Sequence, residues 1–155
     1  MKGMEGLDAL KIWDDLFRSF KRVLREAEKK ISAVGLTWTE FRILSLICGE
    51  PKSMATLANE TMLSPAAITS LIDKLESQGY AKRIRCATDR RLVKVELTEE
   101  GLALLSKARE IQRAYIESIL PSLAQELQDV LMEINEWERK RPAQQLQEKG
   151  LKLSE

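Results

Sequence analysis

"SPAAITSLIDKLESQGYAKRIRCATDRRLVKVELTEEG", residues 64–101, changes its hydrophobic period partway along. From Ala66 to Gln78 the apolar residues Ile68, Leu71, Ile72 and Leu75 recur at helical spacing. Ser64 followed by Pro65 marks the start of that helix: a hydroxyl that accepts from an orphan amide, then a residue whose missing N–H costs nothing there. Gly79 marks its end. Beyond Gly79 the period drops to two. Ile84 and Cys86 alternate with Arg83 and Arg85, which reads as apolar side chains inward and arginines outward. Val93, Val95 and Leu97 alternate with Lys94 and Glu96. Two strands around the polar tip Ala87-Thr88-Asp89-Arg90-Arg91 make a hairpin. Thr98 then caps a new helix, with Glu99 and Glu100 at its electropositive end.

Working outward, Ser53 caps a short helix holding Met54, Leu57 and Ala58. Two helices joined by a short link and followed directly by a hairpin form a winged helix-turn-helix. Thr37 and Glu40 have capping-box spacing and open a helix with Phe41, Leu44, Ile47 and Cys48 on one side, stopped at Glu50-Pro51. Residues 7–33 carry Leu10, Trp13, Phe17, Phe20, Leu24, Ala27 and Ile31 on one helical face, ended by Gly35. Downstream, the helix from Thr98 is expected to run to about Leu120 and to break at Pro121. A last helix carries Leu123, Leu127, Val130, Leu131, Ile134 and Trp137, and Pro142 with the Gln-rich tail reads as a frayed end. The fold class is mainly α with a small β-hairpin wing. Its expected parts are an N-terminal helix over 1–36, a winged helix-turn-helix lobe over 37–101, and C-terminal helices over 102–155. The apolar stripes at both chain ends must bury against something, and a second copy of the chain is the simplest partner.

Composition excludes several functions. The 155 residues are 44% apolar and 32% charged, as in a globular domain, and no apolar run reaches membrane-span length. The acid-containing N-terminus does not read as a signal peptide. Two cysteines without framework spacing, Cys48 and Cys86, fit a reducing cytoplasm. There is no histidine, which removes Ser-His and Cys-His catalysis and histidine-based zinc sites, and there is no glycine-rich phosphate loop. We therefore expect no enzyme, cofactor or metal. The net charge of +1 hides an asymmetry. Residues 52–94 hold eight Lys/Arg against four Asp/Glu, residues 96–138 hold three against ten, and residues 82–94 hold six against one.

That local charge gives the wing a partner of opposite sign. Arginines at a hairpin tip suit a narrow minor groove or its phosphates. Arg91 is the expected inserted side chain or main phosphate contact, oriented by a bidentate pair with Asp89, with Arg90 on a neighbouring phosphate and Lys82, Arg83 and Arg85 adding charge at the wing base. The second helix of the pair exposes Ser64, Ala66, Ala67, Thr69, Ser70, Asp73 and Lys74. Small residues at its N-terminus allow close approach to base edges, and hydroxyls bond bases or phosphates. Each feature has a plainer reading. Ser64 serves as a cap alone, the alanines as helix formers, and the tip as a solvated turn with a surface ion pair. The order of helix, recognition helix and basic hairpin favours DNA.

Residues 57–101, "LANETMLSPAAITSLIDKLESQGYAKRIRCATDRRLVKVELTEEG", resemble the winged-helix core of the MarR family, the multiple-antibiotic-resistance-type regulators. The Asp-x-Arg wing signature followed by Leu-Thr-x-x-Gly is matched by Asp89, Arg91, Leu97, Thr98 and Gly101, and the resemblance extends over roughly residues 7–140. It implies a homodimer built from the terminal helices. Two recognition helices would enter successive major grooves of a pseudo-palindromic double-stranded DNA site, about one turn apart. It also implies modulation by a small phenolic or aromatic carboxylate effector. Arg18 and Lys21, three apart on the first helix, are candidates to neutralise such a carboxylate, and Trp38 and Tyr115 to stack on its ring. The plainer reading makes Arg18 and Lys21 a solvated helix face and Trp38 core. The first helix lacks the cysteine of oxidant-sensing members, and zinc-sensing members need histidines. The main rival reading is a winged helix that binds protein within a larger assembly, for which the basic tip has no use. A carboxylate-dependent enzyme has only scattered surface acids in its support.

Overall fold

The computed structural model describes residues 9–140. Its elements run α1 (Ala9–Ser32), α2 (Trp38–Leu46), β1 (Lys52–Ser53), α3 (Met54–Thr61), α4 (Pro65–Ser77), β2 (Ala81–Arg85), β3 (Val93–Leu97) and α5 (Glu99–Lys140). The chain divides into two compact units, one over Leu24–Glu117 and one formed by Met1–Val23 with Ser118–Glu155. The reading of the first residues as no signal peptide and the frayed-end reading of the Gln-rich tail lie outside the described residues.

The Leu24–Glu117 unit is the winged helix. Its core gathers one face of each element: Ile31, Leu36, Phe41, Ile43, Leu44 and Ile47, then Leu57, Ile68, Ile72 and Leu75, then Ala81, Val95, Leu105 and Ala108. The local signals for these helices are all realised. Thr37 and Glu40 form the reciprocal capping box, with the Thr37 N–H donating to Glu40 Oε2 at 2.8 Å and the Glu40 N–H donating to Thr37 Oγ1 at 3.2 Å. Ser53 accepts from the Thr56 N–H, and Ser64 accepts from the Ala67 N–H with Pro65 at the first helical position. Gly79 terminates α4 at φ +78°.

The turn between α3 and α4 departs from the usual residue choice. The Leu63 N–H reaches back to the Ala58 carbonyl at 3.1 Å, a Schellman closure, and the residue in the left-handed position is Met62, at φ 57°. Glycine is the default there; a side chain in this conformation costs about 1 kcal/mol.

The wing is larger than a hairpin. Strand order is β1-β3-β2, all antiparallel, because Lys52 and Ser53 pair with Val95 and Lys94. Two residues leave no periodicity to detect, so this strand was not visible in the sequence. The register of β2 on β3 also corrects the inward–outward reading of the wing. Arg83 lies opposite Val95, which is fully buried, while Ile84 lies opposite Lys94. Cross-strand partners share a face. Arg83 is therefore on the core-facing side and Ile84 on the other.

At the end of β3 the chain turns back tightly. Thr98 donates from its hydroxyl to the Gly79 carbonyl at 2.6 Å and from its amide to the Tyr80 carbonyl at 3.2 Å, and it caps α5 by accepting from the Gly101 N–H at 3.0 Å. Gly101 lies so close to that crossing that a Cβ built on it falls 2.0 Å from the Tyr80 carbonyl oxygen.

Helix α5 is continuous through Pro121, against the expected break. Proline removes the N–H that the Glu117 carbonyl would accept and crowds that turn, at a cost of about 3 kcal/mol. In the second unit the apolar stripes of α1 and α5 line opposite sides of one groove. Leu16, Phe20 and Val23 face Leu123, Leu127 and Val130 around a groove of about 310 Å³. Beside it, Arg22 donates to Glu126 at 2.5 Å. In the same unit Trp13, Phe17, Phe20, Leu127, Leu131 and Met132 remain exposed, Trp13 to 61%.

Candidate nucleic-acid interface

The recognition-helix residues fall into two groups. Ser64, Ala66, Thr69 and Ser70 are exposed on the N-terminal half of α4, with Ala67 half-buried beside them. Two of the hydroxyls are already engaged locally: Ser64 as the cap, and Thr69, which donates to the Pro65 carbonyl at 3.0 Å. Each keeps a lone pair, and Thr69 Oγ1 remains an acceptor, so neither engagement closes the surface.

Lys74, farther along α4, is held differently. Its ammonium stands 2.6 Å from Glu40 Oε1, and Glu40 is 1% exposed. Burial alone would raise the Glu40 carboxyl. Hydrogen bonds from Lys74 and Thr37 and the positive charge of Lys74 outweigh it, so the group sits below its ordinary value of 4.5. One carboxylate thus joins the α2 capping box to the recognition helix.

The cations of the wing base are engaged as well. Arg83 donates to Asp73 Oδ1 at 2.6 Å and to Glu76 Oε2 at 2.5 Å, and its backbone N–H donates to Glu76 Oε1 at 3.0 Å. This fork clamps β2 to the outer face of α4. The hydrogen bond to Asp73, followed by that to Glu76, raises the guanidinium above its usual range despite partial burial. Lys82 pairs with Glu96, its neighbour across the hairpin, at 3.2 Å. Lys74, Lys82 and Arg83 thus each stand in an ion pair within the chain. All three are committed to carboxylates that lie far from them in sequence, which local pattern reading does not detect.

The tip is different. Arg85, Arg90 and Arg91 are exposed, and none forms a side-chain ion pair among the described residues. Asp89 does not orient the Arg91 guanidinium as expected. Its Oδ1 accepts from the Arg91 backbone N–H at 2.9 Å, while the Leu92 N–H donates to the Asp89 carbonyl at 3.0 Å. A carboxylate two residues before an amide closes an Asx turn. Asp89 shapes the loop and leaves both guanidiniums free to meet an outside partner.

The effector candidates are distributed over both units. Arg18, largely exposed, stands 3.8 Å from Asp15, and the Lys21 ammonium lies 4.9 Å from the centre of the Phe17 ring. In the winged-helix unit Trp38 is half-buried and tilted on Phe41, and Lys30 lies 5.5 Å from the centre of the Tyr115 ring. Cys48 and Cys86 are half-buried, and the Cys48 sulfur accepts from Arg109 at 3.6 Å. Among the described residues no cluster of His, Cys, Asp or Glu could hold a metal ion, and no helix is long and apolar enough to cross a membrane.

Comparison with known proteins bears on this geometry. Residues 34–92 match the family model described as the MarR family. The HTH-type transcriptional regulator MhqR of Bacillus subtilis is 29% identical over 119 residues, spanning 76% of this chain and 82% of that protein. The crystal structure of the transcriptional regulator BldR from Sulfolobus solfataricus superposes with a TM-score of 0.64 at 31% identity, covering 79% of this chain and 94% of that one. The transcriptional repressor CouR, solved bound to a 23-mer DNA duplex, superposes with a TM-score of 0.65 at 26% identity, covering 77% and 85%.

Proposed function

This chain belongs to the MarR family of winged-helix transcriptional regulators, and we propose that it acts in the cytoplasm as a homodimer on a pseudo-palindromic double-stranded DNA site. The observation that carries this reading is the sorting of charge on the winged helix. The exposed N-terminal half of α4 offers small and hydroxyl side chains, and the only arginines of the wing left without a carboxylate partner among the described residues are Arg85, Arg90 and Arg91, at and beside its tip. In this reading Ser64, Ala66, Ala67, Thr69 and Ser70 face base edges and phosphates of the major groove, and Arg90 and Arg91 reach the flanking minor groove.

The test is selection of bound sequences from a random duplex pool, followed by affinity against salt. A pseudo-palindrome with half-sites about one helical turn apart, and affinity that falls linearly with salt on logarithmic axes, is the expected result. No enriched sequence would move the reading to a protein partner. On the selected site Arg91→Ala is expected to lower affinity at least about tenfold, with circular dichroism unchanged. Unchanged affinity would remove the wing from the interface.

Support for the homodimer comes from the second unit, where aromatic and aliphatic side chains line an open groove and its rim. Contiguous exposed apolar surface of this kind is rare on a monomer. Phe20→Asp is expected to give monomers in sedimentation equilibrium and to weaken specific binding by about tenfold or more, because two half-sites are no longer engaged together. A variant that stays dimeric would place the interface elsewhere. We further propose modulation by a small anionic aromatic effector, with Arg18 and Lys21 of α1 as the candidates to neutralise its carboxylate. Calorimetric titration of the dimer with a hydroxybenzoate, with and without Arg18→Ala, tests it.

A further inference from the structure

Met62 combines two features that are unfavourable for an isolated domain. It is 87% exposed, more than any other large apolar residue described, and its backbone is in the left-handed conformation at φ 57° and ψ 34°. Glycine would remove both at once, and the Schellman closure to Ala58 does not involve the side chain. An observed backbone outlier of this kind is a starting point for a functional assignment. The exposure points the same way, since the thioether lends almost nothing to the core.

Its position narrows the role. Met62 is two residues before the Ser64 cap, so it lies within about 7 Å of chain from the end of α4 that exposes Ser64, Ala66, Thr69 and Ser70. That end is the one proposed to enter the major groove, and the inference rests on that reading. An unbranched, polarisable side chain adapts to irregular apolar surface. On DNA the apolar surface available at a groove edge is the thymine C5-methyl and the deoxyribose. We propose that Met62 is a DNA contact of the recognition module, packing its thioether on the apolar edge of the half-site next to the bases read by α4.

Full-length Met62→Gly tests the assignment on the selected duplex. The expected result is a melting temperature equal to or above that of the parent chain, with affinity for the selected site about fivefold or more lower. Met62→Leu, which keeps an apolar side chain, is expected to retain most of the affinity. Replacing thymines with deoxyuridine one at a time distinguishes the sources of contact. Loss at one position per half-site for the parent chain, absent in Met62→Gly, identifies a thymine methyl; loss in Met62→Gly regardless of deoxyuridine identifies the sugar. Met62→Gly binding as tightly as the parent chain would overturn the proposal while leaving the regulator reading intact. No DNA binding by the parent chain would remove both.

Discussion

Gly101→Ala is expected to destabilise the winged helix by about 3 kcal/mol or more, lowering the melting temperature by roughly 10 °C. The added Cβ would stand 2.0 Å from the Tyr80 carbonyl oxygen and 2.8 Å from Leu97 Cδ1. The nearer atom is backbone, and that carbonyl is held by the Thr98 N–H, so it cannot swing aside without opening the junction between α4, β2 and α5. Gly49→Ala is the matched control. Its φ is +99° but no atom lies within 4 Å of the new Cβ, so only backbone strain is added, about 1 kcal/mol. Thermal denaturation of the two variants separates steric closure from conformational preference, and equal losses would refute the tight crossing.

Lys74→Met should cost more stability than Glu40→Gln, by an estimated 1–3 kcal/mol, because the first leaves a buried carboxylate without its ion partner. The second leaves a half-exposed ammonium in water and keeps an acceptor for the Thr37 N–H. The pH dependence follows in sign. The Glu40 carboxyl is lower in the folded chain than its ordinary 4.5, so its contribution is present above that value and is lost as pH falls through the folded value. Denaturant titrations between pH 7 and pH 3 should show the parent chain losing stability below about pH 4.5 faster than Glu40→Gln. Parallel curves would mean that this carboxylate does not couple to folding.

The parts of the fold legible in the sequence are those in which a residue's job is set by its near neighbours. Thr37 with Glu40, Ser64 with Pro65, and Gly79 are local devices, and each marks an element boundary in the structure. The wing strands showed in their period of two. What escaped depends on distance along the chain. Strand β1 is two residues long and exists only because β3 offers it an edge. Helix α5 runs on through Pro121, which the local rule for a proline inside a helix does not foretell. The same holds for the candidate interface. Its proposed location at α4 and the wing tip is argued from charge and element order, both of which the sequence carries. The pairing of Arg83 with Asp73 and Glu76, and of Lys74 with Glu40, was not. The turn role of Asp89 was hidden for a different reason: an aspartate two residues before an arginine suits either the backbone or the guanidinium, and composition does not choose between them.

The internal commitment of Lys74, Lys82 and Arg83 bears on how such a protein would find its target. A searcher on a chromosome spends nearly all its time on wrong sequences, and free cations set how long it lingers on each. Every cation neutralised within the chain is one fewer counterion released from random duplex. On the proposed interface, the pairing of Lys74, Lys82 and Arg83 inside the chain leaves Arg85, Arg90 and Arg91 as the unpaired arginines among the described residues that would meet random DNA. Residence there would be shorter, and the α4 face proposed to read bases would be sampled more often. Freeing those cations by replacing Glu40, Asp73 or Glu76 would lengthen each stop on the wrong sequence and slow the arrival at the right one.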